Sequence, residues 1–320
     1  MNATTSIIRM HAAGAPSVLE PATATLEAPG PGQVRLRQQA IGVNYLDTMM
    51  RDGRFPAALP AVPGFEAAGI VEAAGPGASL RPGQRAAYFF AAGAYAGARL
   101  VPEEALVPLP DDIDAERAAA FLTKGLTAWM GLRALHPLRA GETVLVQGAS
   151  SNVGAILSRW AKALGATVIG ATGSAAKLDR VRAGAHHALD ANDPAFVSTV
   201  RAIAPGGVDV VYDFTGQAVL DQSLAALRDG GTLVAIGAPS GKPQPDPALL
   251  ARRGIVVRGG GTAQYVTAAN AAAVAEELFQ AMRDGLFEDL PIQRYPLAQA
   301  SDVHALIGER ALDGLAVLLP

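Results

Sequence analysis

Residues 143–154 read Thr143-Val144-Leu145-Val146-Gln147-Gly148-Ala149-Ser150-Ser151-Asn152-Val153-Gly154. Thr143 to Gln147 is a short apolar run of buried-strand type, followed by small residues. From Val153 the spacing turns helical: Val153, Ile156, Leu157, Trp160 and Leu164 share one face. Gly165 stands where such a helix ends, and Thr167–Ala171 is a second apolar strand. Strand, tight turn, helix and strand within about 30 residues form the unit that seats a pyrophosphate on a helix N-terminus. The expected ligand is a dinucleotide.

The phosphate fingerprint of that unit is degenerate. Aligned on Gly154, its three glycine positions are Ala149, Ser151 and Gly154, and only the last, which lets helix pack closely on sheet, is glycine. Small side chains at the other two still admit a phosphate, and the hydroxyl of Ser150 or Ser151 adds a donor. A βαβ unit without a ligand is the alternative at this point, because a motif needs its context.

That context concerns the ribose. Sites for NAD carry an acidic residue about 20 residues beyond the motif, at the end of the second strand. Here the strand runs out as Ala171-Thr172-Gly173-Ser174-Ala175-Ala176-Lys177, and no Asp or Glu lies between Gly154 and Asp179. A carboxylate there repels a 2′-phosphate, whereas a hydroxyl and an ammonium attract it. The chain has four lysines, at 124, 162, 177 and 242, and one of them is here. Either Lys177 is a solvated residue of a helix's first turn or it marks the cofactor as NADPH; the second reading is preferred.

Composition bounds the rest. The chain has 320 residues, enough for two cores, and half of them are hydrophobic. With 26 basic and 29 acidic side chains it gives no reason to expect a nucleic acid or an anionic membrane as partner. There is no cysteine, which excludes disulfides, thiolate catalysis and a four-cysteine zinc lobe. No basic segment precedes an apolar core at the N-terminus, and no apolar run reaches the roughly 18 residues of a membrane span. The expected location is the cytoplasm.

Residues 1–110 are rich in Pro and Gly, with short strand-like runs at Gln33–Gln39, Ala68–Ala73, Gln84–Phe90 and Arg99–Val101. Turn sequences such as Pro29-Gly30-Pro31-Gly32, Gly75-Pro76-Gly77 and Arg81-Pro82-Gly83 separate them. That is an irregular, mostly antiparallel β domain. From about Asp114 helical patterning begins, and strands alternate with helices: 143–147, 167–171, Val208–Tyr212, Thr232–Ile236 and Ile255–Arg258. Such alternation predicts a parallel sheet covered on both faces. Ala268–Asp284 is an amphipathic helix, and the terminal Leu315–Leu319 reads as a strand that folds back onto the N-terminal β domain. The fold class is therefore α/β, a doubly wound Rossmann-type domain at 120–262 beside a β domain of 1–119 and 263–320. A substrate cleft is expected between the two domains, at the carboxyl ends of the parallel strands.

Separated motifs carry a family resemblance along the whole chain. Gly42-Val43-Asn44-Tyr45-Leu46-Asp47, with Arg51 and Gly53, resembles the G-V-N-x-x-D-x-x-x-R-x-G block of zinc-free quinone oxidoreductases. Leu59-Pro60 and Pro63-Gly64-Phe65-Glu66-Ala67-Ala68-Gly69 resemble their next block. Gly125-Leu126-Thr127-Ala128, the βαβ motif and Glu309-Arg310-Ala311…Gly314…Leu318-Leu319-Pro320 complete the set in order. The chain is identified as similar to the zeta-crystallin type within the medium-chain dehydrogenase/reductase superfamily, and the β domain as GroES-like. Zinc alcohol dehydrogenases of that superfamily use a Cys and a His where this chain has Asn44 and Phe65. The five histidines (11, 136, 186, 187 and 304) show no metal-ligand spacing, so no metal is expected.

The resemblance implies roles residue by residue. Asn44 and Thr127 line the nicotinamide pocket, and Lys177 and Arg310 take the 2′-phosphate. The implied cofactor set is Asn44, Lys124, Thr127, Ser150, Ser151, Asn152, Val153, Gly154, Ser174, Lys177, Gly237 and Arg310. The candidate catalytic residues are Asn44, Tyr45 and Thr127. Relatives often carry tyrosines where this chain has Met49 and Phe55, which leaves Tyr45 and solvent as proton donors; Tyr45 is equally readable as core. Without a metal, the acceptor must take hydride by its own electronics, as a quinone or an α,β-unsaturated carbonyl does. The expectations are an NADPH-dependent quinone reductase, an enone or enoyl reductase on the same scaffold, or a silent NADPH-binding protein. A homodimer through the edge strand near Ile255–Arg258 is implied by the relatives.

Overall fold

In the computed structural model, residues 4–320 are described. In chain order the strands are β1 (Thr4–Arg9), β2 (Glu20–Thr25), β3 (Gln33–Gly42), β4 (Glu66–Ala74), β5 (Arg85–Tyr88), β6 (Ala98–Pro102), β7 (Leu106–Pro108) and β8 (Thr143–Gln147). They continue as β9 (Thr167–Thr172), β10 (His187–Asp190), β11 (Val208–Asp213), β12 (Leu227–Ala235), β13 (Val256–Gly259), β14 (Ile292–Pro296) and β15 (Leu315–Leu319). The helices are α1 (Tyr45–Arg51), α2 (Ala115–Trp129), α3 (Asn152–Ala163), α4 (Leu178–Gly184), α5 (Phe196–Ile203), α6 (Leu220–Ala226), α7 (Pro247–Arg253), α8 (Ala271–Arg283) and α9 (Ala300–Gly308).

The chain divides into two compact units. One comprises the described residues up to Thr123 with Ala268–Phe279 and Leu290–Pro320; the other comprises Lys124–Thr267 with Gln280–Asp289.

The first unit is built on a seven-stranded sheet of order β14-β15-β3-β4-β5-β7, with β6 also on β3, and a β1–β2 hairpin. The terminal strand does return to the β domain. Val317 and Leu318 of β15 pair antiparallel with Gly42 and Ile41 of β3, while β14 runs parallel on its other side. Alternation decides which face is buried: Val34, Leu36 and Ile41 of β3 enter a core with Val71, Tyr88, Val101 and Leu318. The hairpin was not legible in the sequence, because Thr4–Arg9 and Glu20–Thr25 mix small and polar residues and lack the apolar alternation of a half-buried strand.

The second unit holds a six-stranded parallel sheet of order β10-β9-β8-β11-β12-β13. Val144, Leu145 and Val146 of β8 are fully buried, as a strand covered on both faces requires. On α3, Ile156, Leu157, Trp160 and Ala161 are buried, and the Trp160 ring meets Phe287 edge-on at 6.1 Å. The helix ends where expected, with Gly165 at φ +87°. β8 lies between β9 and β11, so the connections run away from it in opposite directions. The carboxyl ends of β8 and β11 therefore form a topological switch point, where open α/β sheets bind their ligands. Among the described residues no helix is long and apolar enough to cross a membrane.

Candidate active site

Around that switch point the second unit gathers most of the expected cofactor residues. Gly148 leaves β8 at φ +77°, and a Cβ on Gly154 would collide with the Gly148 carbonyl oxygen and reach 3.0 Å from the Cα of Ala149. The turn glycine is thus Gly148, one residue before the Ala149 to which spacing alone assigned that role. Ser151 is the N-cap of α3, its Oγ accepting from the Gly154 N–H at 3.1 Å. The Ser150 hydroxyl meets that of Thr172, at the end of β9, at 2.9 Å. Asn152 Oδ1 accepts from Arg180 of α4 at 2.7 Å, which brings a second cation near the start of α3. Arg180 carried no signal in the sequence, because a single arginine on an amphipathic helix reads as a solvated face.

Ser174 and Lys177 bracket the short turn after β9, where the Lys177 N–H bonds the Ser174 carbonyl at 2.9 Å. Gly237 follows β12, and any side chain there would run into the backbone of Phe214. Asp213, fully buried at the end of β11, accepts from the N–H groups of Thr215 and Gly216 at 2.7 and 3.0 Å. Burial outweighs these two bonds and pushes its carboxyl up to about 6. On α2, Lys124 is buried and Thr127 stands one turn later, its hydroxyl 2.9 Å from that of Thr262 in the loop after β13.

These residues fit NADPH. The close approach that forbids a Cβ on Gly154 keeps the N-terminus of α3 tight against the β8 turn. The end of β9 offers the hydroxyls of Thr172 and Ser174 with an ammonium three residues on, and no carboxylate.

The first unit holds Asn44, Tyr45 and Arg310. Asn44 stands between β3 and α1 as the helix N-cap, 8% exposed. Its N–H donates to Asp47 Oδ2 at 2.8 Å and its side-chain amide to Glu66 Oε2 at 2.7 Å. The other oxygen of Glu66 accepts from the N–H of Thr123 on α2 at 2.5 Å. Gly42 is glycine for this reason: a Cβ there would strike both the Ala119 carbonyl and the Glu66 carboxylate. Tyr45 is not core. It is 46% exposed, its hydroxyl accepting from Arg54 Nη1 at 2.9 Å with the guanidinium 5.3 Å from the ring centre. Arg310 is exposed at φ +58°, in the left-handed region that favours glycine.

Behind α1 lies a buried polar chain. Asp47 accepts from the Tyr95 hydroxyl at 3.0 Å, and the Tyr95 oxygen meets His304 Nε2 of α9 at 2.9 Å. With the Tyr95 proton given to Asp47, His304 donates Nε2–H and its Nδ1 is bare and buried. Desolvation, helped by Arg51, pulls His304 down to about 3.

Beside α1 is a cavity of about 380 Å³ lined by Met50, Phe55, Pro56, Ala57, Ala58, Ala61, Val62, Phe65, Ala92 and Gly93. Phe55 and Phe65 meet edge-on in its wall, 5.7 Å between ring centres. No titratable side chain lines it. Among the described residues no three His, Cys, Asp or Glu side chains form a group that could hold a metal ion.

Residues 30–111 match the family described as the alcohol dehydrogenase GroES-like domain, and residues 152–278 the family described as zinc-binding dehydrogenase. The chain is 38% identical to a quinone oxidoreductase of Pseudomonas aeruginosa, covering 98% of this chain and 99% of the relative. It is 37% identical to a 2-haloacrylate reductase of a Burkholderia species, covering 97% and 98%. A crystal structure of Escherichia coli quinone oxidoreductase complexed with NADPH superposes with a TM-score of 0.92 at 32% identity, covering 99% of this chain and all of that one.

Proposed function

The chain belongs to the quinone oxidoreductases of the medium-chain dehydrogenase/reductase superfamily, and on that premise we propose that it reduces an electron-poor quinone with NADPH, without a metal. The observation that carries this reading is the cavity beside α1. Its lining side chains are apolar, with two aromatic rings and no acid, base or cation. Such a surface can hold a flat apolar acceptor, but its side chains cannot polarise a simple ketone.

NADPH, when bound, supplies the hydride and the chain supplies its placement. The N-terminal amides of α3, with Ser150, Ser151, Asn152, Val153 and Gly154, hold the pyrophosphate. Ser174, Lys177 and Arg310 hold the 2′-phosphate, and Lys124 and Gly237 complete the cofactor site. Asn44 and Thr127 orient the nicotinamide through hydrogen bonds. The proton comes from water or from Tyr45, whose hydroxyl oxygen is held by Arg54 while its own hydrogen remains a donor.

The similarity to a 2-haloacrylate reductase favours a second reading, in which the acceptor is an α,β-unsaturated carbonyl. Parallel NADPH-oxidation assays with 9,10-phenanthrenequinone, an enal and 2-chloroacrylate separate the two. Highest kcat/KM with the quinone is the expected outcome; higher turnover of 2-chloroacrylate moves the assignment to the second reading, and no turnover of any acceptor leaves a silent NADPH-binding protein.

We also place the enzyme in the cytoplasm as a homodimer. The dimer reading is supported by β13, the last strand of its sheet, where Val256 and Val257 are 44% and 40% exposed. An unpaired apolar edge of this kind is one that soluble proteins cover.

A further inference from the structure

We propose that Glu66 is a positioning residue that fixes the side-chain amide of Asn44 in one of its two orientations. Asn44 thereby meets the nicotinamide as a hydrogen-bond acceptor. The inference rests on the placement of Asn44 at the nicotinamide given above. An amide can present either its oxygen or its NH2 to a ligand, and the two are interchanged by a half-turn about one bond. Glu66 removes that freedom. Both its oxygens accept an N–H, one from Asn44 Nδ2 and one from the Thr123 backbone, so it faces Asn44 with lone pairs alone. Turning the amide over would set its oxygen against the oxygen of a fully buried carboxylate. The end of Asn44 opposite Glu66 is therefore Oδ1.

Glu66 is itself tightly held. It opens β4, which pairs with β3 at Gly42, and the bare Cα of Gly42 leaves room for its carboxylate. Its bond to Thr123 ties the same carboxylate to α2, so strand, site loop and helix meet on one group. Oδ1 matches the carboxamide NH2 of the nicotinamide and has nothing to offer a carbonyl. A ring held by that NH2 is held in one rotation, which decides the face it presents.

The test uses a cofactor analogue, reduced 3-acetylpyridine adenine dinucleotide phosphate, in which a methyl replaces the carboxamide NH2. Dissociation constants for NADPH and for the analogue are read by quenching of the protein's tryptophan fluorescence. Wild type should bind NADPH about three- to tenfold more tightly, the worth of one hydrogen bond. In Asn44→Ala the ratio should fall to about one. Glu66→Met, which keeps the chain length and removes both acceptors, should do the same. Glu66→Gln should also lower it, because its single amide oxygen cannot serve Asn44 and Thr123 together. A merely structural role of Glu66 would weaken both cofactors equally and leave the ratio at the wild-type value. That result in Glu66→Met, or in Glu66→Gln if the Met variant does not fold, overturns the proposal while Asn44→Ala still upholds the site. An unchanged ratio in Asn44→Ala as well means that Asn44 does not meet the carboxamide, and both readings fall.

Discussion

Replacing Arg310 by glycine should raise or preserve stability while lowering affinity for NADPH, two effects of opposite sign from one side chain. Helix α9 closes with a paired set of bonds: the Arg310 N–H to the Ile307 carbonyl at 3.1 Å and the Ala311 N–H to the Leu306 carbonyl at 2.9 Å. This closure puts Arg310 at φ +58°, the position where helices prefer glycine. The left-handed conformation costs a residue with a Cβ about 1 kcal/mol. Glycine escapes that cost but gives back about 0.4–1 kcal/mol through a freer unfolded chain, so the net change is zero or slightly stabilising. Arg310→Ala keeps the strain and should melt at or below wild type. Both variants lose the guanidinium, and a charge-assisted phosphate contact is worth about 1.5–3 kcal/mol, or roughly 10- to 150-fold in affinity. Differential scanning fluorimetry of the free proteins, with NADPH and NADH titrations beside it, reads both quantities. The expected pattern is equal NADPH loss in the two variants, NADH binding nearly unchanged, and Gly at least as stable as Ala. A fall in melting temperature with matching losses for both cofactors would show that Arg310 acts through packing, and the phosphate assignment would be withdrawn.

Lys177→Ala should likewise raise the KM for NADPH about tenfold or more and spare NADH; equal losses would remove it from the phosphate site. His304 sets a pH dependence whose sign is fixed by its depressed value. Between pH 6.5 and about 3 the unfolded chain takes up a proton that the folded protein refuses, so this group makes stability fall as pH falls, by about 1.4 kcal/mol per unit. Asp213, pushed up to about 6, works the other way between its unfolded value near 3.8 and that point. The His304 part is therefore read as the difference between wild type and His304→Gln in urea melts at pH 7.5 and 5; a constant difference contradicts it. Val257→Asp on the β13 edge should convert a dimer to a monomer in light scattering, with the melting temperature of the second unit little changed; an unaltered mass places the interface elsewhere.

The parts of this fold that were legible in the sequence are those whose periodicity is local. β8 and the terminal β15 fall on the residues that apolar runs indicate, and α3 begins at Asn152, one residue before the Val153 where the helical spacing starts. β12 begins at Leu227, five residues before the apolar run that marked it, because Arg228, Asp229, Gly230 and Gly231 carry no strand pattern. The site was legible only where one motif holds all its members. Glu66 stood in a quoted motif, yet its function depends on Asn44 and Thr123, 22 and 57 residues away, which only the pairing of β3 with β4 and the passage of α2 bring to it. The Asp47–Tyr95–His304 chain spans three distant segments and leaves no spacing to read. Tyr45 shows the converse: an aromatic at the start of a helix reads equally as core or as a functional group, and it stands 46% exposed beside Arg54.

The hydride transfer proposed above runs from NADPH to an electron-poor acceptor with no metal. Asn44 and Phe65 stand where zinc relatives need a thiolate and an imidazole, and the chain contains no cysteine to replace them. The most direct measurement is the rate of NADPH oxidation by 9,10-phenanthrenequinone before and after exhaustive chelation, with elemental analysis of the same sample. An unchanged rate and zinc far below one per chain are the expected results. Activity that disappears with the chelator and returns with added zinc would contradict metal-free transfer.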